Sequence, residues 1–345
     1  MDKLLLVYNH SVKGIEGHWL FRGLSQYTNN IEAVGIPLCF RKFLHNKWLR
    51  PFHLMARIIM SICVAVKAKR HKVNAIVIWD NTFNGICCAY ACSLLGFKGM
   101  IFILNMIDHG QGNFISNKIK IRLYNIFNHY NIRISVNSPN LAELYNKRYN
   151  ISLDHFFILP DSVFGYLRVL GHSITDEGFV FCGGSQHRDW DRFFRVAALC
   201  PNFKFVGIGR KSHVGDRNYP PNIEMHFDTP RDFFYDYMSK STIVFLPLTS
   251  KIQAGQSVVI EAGLLKKPVV ISHTEAIDYF IDSNCGRIFD FYASDEEVAN
   301  IIKELMGDRQ KCKEMGYNIY EKMLTHSHNN VVAMLWNYIK KSLCH

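Results

Sequence analysis

Short aliphatic runs alternate with helix-patterned stretches along almost the whole 345-residue chain, and that alternation constrains the fold more than any other feature. Runs at 4–8, 33–38, 75–79, 101–104, 132–136 and 156–159 read as strands of a first half. Runs at 179–182, 203–206, 223–226, 242–246, 269–271 and 287–289 read as strands of a second. Most are apolar throughout rather than alternating, which suits strands covered on both faces by crossover helices. Helical patterns fill the gaps, for example 192–199, 232–239, 256–265 and 296–306. Strand, helix, strand repeated in this way predicts parallel sheets. A chain of this length exceeds what one core usually fills, and a poorly periodic stretch at 160–175 separates the two sets of strands. The expected fold class is α/β, with two Rossmann-like domains whose parallel sheets face each other across a cleft. Residues 1–165 would form one domain and 173–326 the other, with a helix in 327–345 returning to the first. Ligands of such folds bind outside the carboxyl ends of the strands.

Charge separates the two halves. Lys and Arg total 40 against 29 Asp and Glu, a net +11. Residues 1–170 hold 20 basic and 8 acidic side chains, so the surplus lies entirely in the first half. A basic half implies an anionic partner. The densest stretch, 41–72, carries Arg41, Lys42, Lys47, Arg50, Arg57, Lys67, Lys69, Arg70 and Lys72 with no acidic residue. Phe43, Trp48, Leu49, Phe52, Leu54, Met55, Ile58 and Ile59 are interleaved. That mixture suits a surface lying on anionic headgroups, with apolar groups dipping and cations snorkelling; the plainer alternative is a packed helix with a solvated basic face. No nucleic-acid-binding module is recognisable, so nucleic acid is not an expected partner.

The longest apolar run near this region, 58–66, is nine residues against the roughly 20 that a spanning helix needs. The first residues turn polar too quickly for a signal peptide and read as a buried strand. The ten cysteines form no C-x-x-C pair. Cys87, Cys88 and Cys92 lie in a small-residue helical run, and Cys182, Cys200 and Cys285 sit among apolar neighbours. Buried reduced thiols fit better than disulfides or a zinc site, and the expected location is cytoplasmic.

The most informative stretch runs from Ala254 to Val270. A small-residue turn, Ala254-Gly255, opens a helix at Gln256 that runs to Lys266-Lys267, and Pro268 starts a buried strand. Backbone N–H groups at such a helix start lack intrahelical partners and face a diphosphate well. Glu261 lies one turn further on, where a carboxylate could accept from a ribose diol of the same ligand. Alone, these residues would equally describe an ordinary helix with an exposed glutamate.

The segment resembles the donor-site motif of retaining, two-domain (GT-B) glycosyltransferases of the glycosyltransferase family four type, roughly G-x-S-x-x-x-E-A followed by G-K-P-V-I. Phe181-Cys182-Gly183-Gly184 with Arg188-Asp189-Trp190 resembles that family's first strand and phosphate-facing loop of the second domain, and Val206-Gly207-Ile208-Gly209 its second strand and turn. Ile158-Leu159-Pro160-Asp161-Ser162-Val163 is similar to the interdomain I-x-P-N-G-V. Val136-Asn137-Ser138 and Gly14-Ile15-Glu16-Gly17 are similar to landmarks of the first domain. The resemblance implies that Glu261 holds the donor ribose and that amides around Gln256, Ser257 and Val258 take the distal phosphate. Arg188 and the Gly183-Gly184 turn would face the diphosphate. His109, in Asp108-His109-Gly110, would lie near the transferred sugar, Phe227 and Asp228 near the nucleobase, and Gly14, Glu16 and Gly17 beneath the acceptor. The donor would be a nucleotide sugar and the acceptor a lipid-linked saccharide of surface polysaccharide assembly, on the inner membrane face. No metal or other cofactor is implied. One departure stands out: the family's first glutamate, eight residues before the second, is Gln253 here, and an amide cannot stabilise cationic character as a carboxylate can.

Two other readings remain open. Asp189-Trp190-Asp191 matches the Asp-x-Asp of metal-dependent, single-domain (GT-A) glycosyltransferases, although here it opens a predicted helix. Gln253 also permits a catalytically silent assembly subunit that binds a nucleotide sugar without transferring it. A dinucleotide-binding fingerprint is excluded, because neither Gly207-x-Gly209 nor Gly14-x-x-Gly17 completes G-x-G-x-x-G.

Overall fold

The computed structural model describes residues 3–8, 18–35, 50–79, 82–108, 114–163, 165–184 and 186–344. Contacts between residues cluster into two compact units, Met1–Pro160 with His328–His345 and Asp161–Ser327.

The first unit runs β1 (Leu4–Tyr8), α1 (Trp19–Ser25), β2 (Ile31–Gly35), α2 (Arg50–Arg70), β3 (Ala75–Trp79), α3 (Thr82–Leu94), β4 (Met100–Ile103), α4 (Phe114–Tyr124), β5 (Ile132–Val136), α5 (Pro139–Tyr149) and β6 (Phe156–Ile158). The second runs α6 (Tyr166–Leu170), β7 (Phe179–Gly183), α7 (Trp190–Ala198), β8 (Lys204–Gly209), α8 (Lys211–Val214), β9 (Ile223–Phe227), α9 (Arg231–Lys240), β10 (Ile243–Leu246), α10 (Gln256–Leu264), β11 (Val269–Ser272), β12 (Gly286–Phe289), α11 (Asp295–Gly307) and α12 (Arg309–Met323). The closing helix α13 (His328–Leu343) belongs to the first unit.

Each unit carries a six-stranded sheet, in the orders β2-β1-β3-β4-β5-β6 and β12-β11-β10-β7-β8-β9. Every pairing between these strands is parallel. The second order is the doubly wound Rossmann order, in which the strand sequence changes direction across the sheet between β7 and β10 and opens a crevice at their carboxyl ends. Strands β7, β10 and β11 are buried at every residue, which is why they read as unbroken apolar runs.

All twelve expected strands are present; residues 36–38 of the second expected strand lie outside the described residues, and the remaining ends differ by up to three residues. The largest difference has a steric cause. Gly207 and Gly209, expected as a turn, lie inside β8 and pair with Met225 and Phe227 of β9. A Cβ on Gly207 would sit 2.2 Å from the Met225 sulfur, and one on Gly209 would sit 2.6 Å from the Trp190 ring. Glycine serves close packing there rather than chain reversal.

Helix starts follow local capping chemistry. Ser138 accepts from Leu141 N ahead of Pro139, and Ser294 and Glu297 form a reciprocal capping box at α11. In α13, Val331, Val332, Leu335 and Ile339 make one buried stripe, and Tyr338 stacks on Phe157 with ring centroids 4.0 Å apart. That stripe belongs to the same core as Leu4, Leu6 and Val77. Among the described residues, no helix is long and apolar enough to cross a membrane. Cys88, Cys92, Cys182, Cys200 and Cys285 are free and buried, Cys87 is half-buried, and Cys63 and Cys344 are exposed.

Candidate active site

The second unit concentrates polar side chains where its sheet order reverses. Arg188 follows β7, Thr229 follows β9, Gln253 follows β10, and Gln256 and Glu261 lie on α10. Each is buried or half-buried, and each keeps a buried polar atom with no partner among the described residues: Arg188 Nη1, Thr229 Oγ1, Gln253 Oε1, Gln256 Nε2 and Glu261 Oε2. A buried polar atom without a partner costs roughly 1–3 kcal/mol. Several converging on the carboxyl ends of one sheet form a set of groups waiting for a polar ligand.

The start of α10 adds donors to this set. Gly255 precedes it at φ +85°, a backbone region that a side chain would strain, and no side chain caps the helix. The first intrahelical bond runs from Val259 N to Gly255 O at 3.0 Å, so the amides of Gln256, Ser257 and Val258 come before the ladder begins. Gln256 is buried while Ser257 is exposed, which turns this helix start partly toward solvent. The helix ends at Leu264, short of the expected Lys266-Lys267, because Lys266 adopts φ +55° and the Lys267 amide folds back onto Ala262 O.

Glu261 is not the exposed, open carboxylate that the sequence allowed. Only 2% of its side chain is exposed, and Oε1 accepts from Arg231 Nη2 and from Tyr235 OH at 3.1 Å. Arg231 Nε donates to the same Tyr235 oxygen at 2.9 Å, and its guanidinium covers the Phe234 and Tyr235 rings. Burial pushes the Glu261 carboxyl above its ordinary range, and Arg231, Tyr235 and Arg188 oppose that rise. Oε2 alone is left for a ligand. Sequence reasoning missed Arg231 and Tyr235. Their spacing on α9, four residues apart on one face, was the available signal.

Arg188 is buried, with Nε donating to Gly183 O at 2.7 Å. Burial lowers its affinity for the proton, and Cys182 and Glu261 oppose that. It lines a cavity of about 390 Å³ with Gln186, His187, Trp190, His213 and Thr249. Gly184 lines a second cavity, about 470 Å³, with Gly209, Arg210, Asp228, Thr229 and Arg231. Phe227 lines neither cavity. It packs at the margin of the core, with Lys211 Nζ 5.0 Å from its ring centre. Asp228 does line the second cavity, at φ +52°, with Oδ2 accepting from Lys211 N. The two aspartates of the Asp-x-Asp reading are engaged locally. Asp189 caps α7 by accepting from Arg192 N, and Asp191 pairs with Arg217 at 2.7 Å.

In the first unit, His109, Gly14, Glu16 and Gly17 lie outside the described residues, as does 41–49 of the basic stretch. Asp108, which precedes His109 in sequence, is buried, with Tyr124 OH donating to it at 2.7 Å and Lys120 Nζ at 3.0 Å. Its backbone N–H donates to Tyr145 OH. The rest of the basic stretch is α2, whose Ala56, Met60, Val64, Ala65 and Ala68 are buried. Phe52, Met55, Ile59, Ile62 and Val66 recur every three or four residues and are all exposed.

Residues 190–322 match the sequence profile of the family described as glycosyl transferases group 1. No curated protein matches the chain by sequence. Solved structures similar over nearly the full length include Anabaena Alr3699/HepE in complex with UDP (TM-score 0.72, 14% identity, 98% of this chain and 100% of that one). A glycosyltransferase from Rickettsia africae ESF-5 (0.69, 12%, 99% of both) and the sucrose-phosphate synthase of Thermosynechococcus elongatus (0.64, 11%, 99% of both) are also similar. Two six-stranded parallel Rossmann-type sheets, with unsatisfied polar groups at the switch point of the second, define a GT-B fold. Residues 190–322 carry the profile of glycosyl transferases group 1, within a chain of GT-B fold.

Proposed function

We propose that the protein moves a sugar from a nucleotide-sugar donor to a lipid-linked saccharide acceptor in surface polysaccharide biosynthesis, with retention at the anomeric carbon. The observation that carries the donor site is the convergence of unpartnered buried atoms of Arg188, Gln253, Gln256 and Glu261 at the switch point of the second sheet. In this reading residues 173–326 hold the donor. Glu261 Oε2 accepts from a ribose hydroxyl, with Oε1 anchored by Arg231 and Tyr235 so that the free oxygen stays aimed. The amides of Gln256, Ser257 and Val258 and the Gly183-Gly184 turn hold the diphosphate, and Arg188 meets the negative charge that develops on it as the glycosidic bond breaks. Gln253 Oε1 accepts from a sugar hydroxyl. Protein groups supply this stabilisation, so the reaction is assigned no metal.

Residues 1–165 would bind the acceptor, with Gly14, Glu16 and Gly17 beneath it and His109 beside the transferred sugar. We further propose that this unit rests on the anionic inner face of the membrane through α2. The exposed stripe Phe52, Met55, Ile59, Ile62 and Val66 beside Lys67, Lys69 and Arg70 supports that reading, since apolar groups can enter the acyl boundary while cations reach headgroups.

A thermal-shift screen of nucleotide sugars tests the donor site, because a true donor stabilises the folded state by mass action. The Anabaena structure holds UDP, so uridine donors come first. The stabilising donor should lose its effect in Glu261→Ala, and the product's anomeric configuration, read by NMR, should equal the donor's. Binding without transfer to any acceptor would instead identify a silent assembly subunit. An inverted product would refute retention.

A further inference from the structure

A cavity of about 660 Å³ lies at the opposite end of the second unit's sheet from the residues around Glu261, beside the amino ends of β7, β10 and β11 and against α12. Four cations line it, Lys266, Lys267, Arg309 and Lys313, against one carboxylate, Asp176. That carboxylate is already used: Oδ1 accepts from Arg309 Nη1 and Thr242 Oγ1, each at 2.5 Å, and from Gly178 N at 3.1 Å.

Lys267 is the unusual member. It is 4% exposed, and its ammonium donates only to two backbone carbonyls, Thr175 O at 2.5 Å and Ser241 O at 2.7 Å. Among the described residues it has no carboxylate within ion-pair distance. Burial lowers its pKa to about 8 against the opposing pull of Asp176, and its hydrogen bonds go to carbonyls rather than to a carboxylate. Buried charges are normally paired. Lys313 is exposed and makes no ion pair among the described residues, and Lys266 Nζ rests on the Tyr317 and Tyr320 rings rather than on an acid.

We infer that this cavity is a second anion site, built for a small phosphate-bearing molecule and separate from the donor site. Three cations with no carboxylate partner among the described residues, set around a concave space, match a phosphate dianion, with Lys267 at the floor and Lys313 at the rim. The space is far larger than inorganic phosphate and of the size that small metabolites fill, leaving room for the remainder of such a ligand against Tyr317. Helix α10 runs between the two sites, starting among the donor groups and ending at Leu264, just before Lys266-Lys267. The inference does not depend on the donor-site reading.

Isothermal titration of the full chain with pyrophosphate, in chloride buffer of matched ionic strength, tests it. Pyrophosphate could also enter the donor site, so variants separate the two. Lys313→Glu should weaken binding by about tenfold or more, because it reverses a charge at the rim. Lys303→Glu has the same effect on net charge at an exposed lysine outside the cavity and should leave affinity within about twofold. Ser257→Asp places a charge at the start of α10 and should leave this binding intact. Amine labelling read by mass spectrometry should show Lys266 and Lys313 protected by pyrophosphate in the wild type and in Ser257→Asp. Absence of saturable binding would overturn the proposal. So would binding abolished by Ser257→Asp, or binding that Lys313→Glu weakens no more than Lys303→Glu does.

Discussion

Replacing Arg231 with alanine isolates the contact on which the buried Glu261 carboxylate depends. The wild-type pair is asymmetric: the Glu261 side chain is 2% exposed and that of Arg231 is 44% exposed. Breaking a fully buried pair costs about 3–5 kcal/mol, whereas an exposed pair contributes about 0.2–1 kcal/mol. With one partner buried and the other reachable by water, the expected loss at neutral pH is about 2–3 kcal/mol. Roughly 1 kcal/mol of this is the guanidinium's cover over the Phe234 and Tyr235 rings, which does not depend on pH. The remainder is electrostatic and does. Burial already raises the Glu261 carboxyl above its ordinary 4.5, and loss of Arg231 raises it further. A carboxyl with a raised folded pKa binds its proton more tightly when folded, so its contribution to stability falls as pH rises from 4.5 toward the folded value. Each further pKa unit adds about 1.4 kcal/mol to that fall. Urea titrations at stepped pH should therefore show the penalty of Arg231→Ala shrinking to about 1 kcal/mol in acid and growing toward neutrality. In a Glu261→Gln background the growth should vanish. A penalty that is flat with pH, or the same in both backgrounds, would refute the account of a carboxylate held charged by Arg231.

Other perturbations follow from single features. Gly255→Ala should lose about 1–2 kcal/mol in thermal or urea unfolding, because it forces a side chain to φ +85° and puts its Cβ 3.1 Å from Ile271 Cδ1. Ile59→Glu and Ile62→Glu should unfold like the wild type, since both side chains are exposed, but should no longer co-sediment with anionic vesicles. Wild-type co-sedimentation should itself weaken with salt. Transfer should survive EDTA and Asp191→Asn, the latter removing only a half-exposed pair with Arg217, and should fall sharply in Arg188→Ala. Loss with EDTA and rescue by manganese would contradict the assignment of charge stabilisation to protein groups.

Strand identity was legible because a strand buried on both faces must be apolar at every position. Val269–Ser272 and Ile243–Leu246 need no tertiary information to be recognised. Helix starts have a similarly local cause, although the sequence reading did not use it: Ser138-Pro139 and the Ser294–Glu297 box satisfy free amides with side chains three residues away. The donor helix could be placed from Gly255 and Glu261 because the free amides of a helix start are a property of its first turn. Long-range contacts decided the rest. Whether Gly207 and Gly209 turned the chain or packed within it depended on Met225 and Trp190, and no pattern around those glycines encodes such contacts. Glu261 could be read as exposed because burial is a property of what surrounds a helix. Its neighbours Arg231 and Tyr235 come from a different crossover, some thirty residues away in sequence. Lys267 reads in sequence as one of two surface lysines after a helix. Only the packing of β7, β10 and α12 around it converts that charge into a buried one, because desolvation is set by the atoms that close over a group and not by its neighbours along the chain.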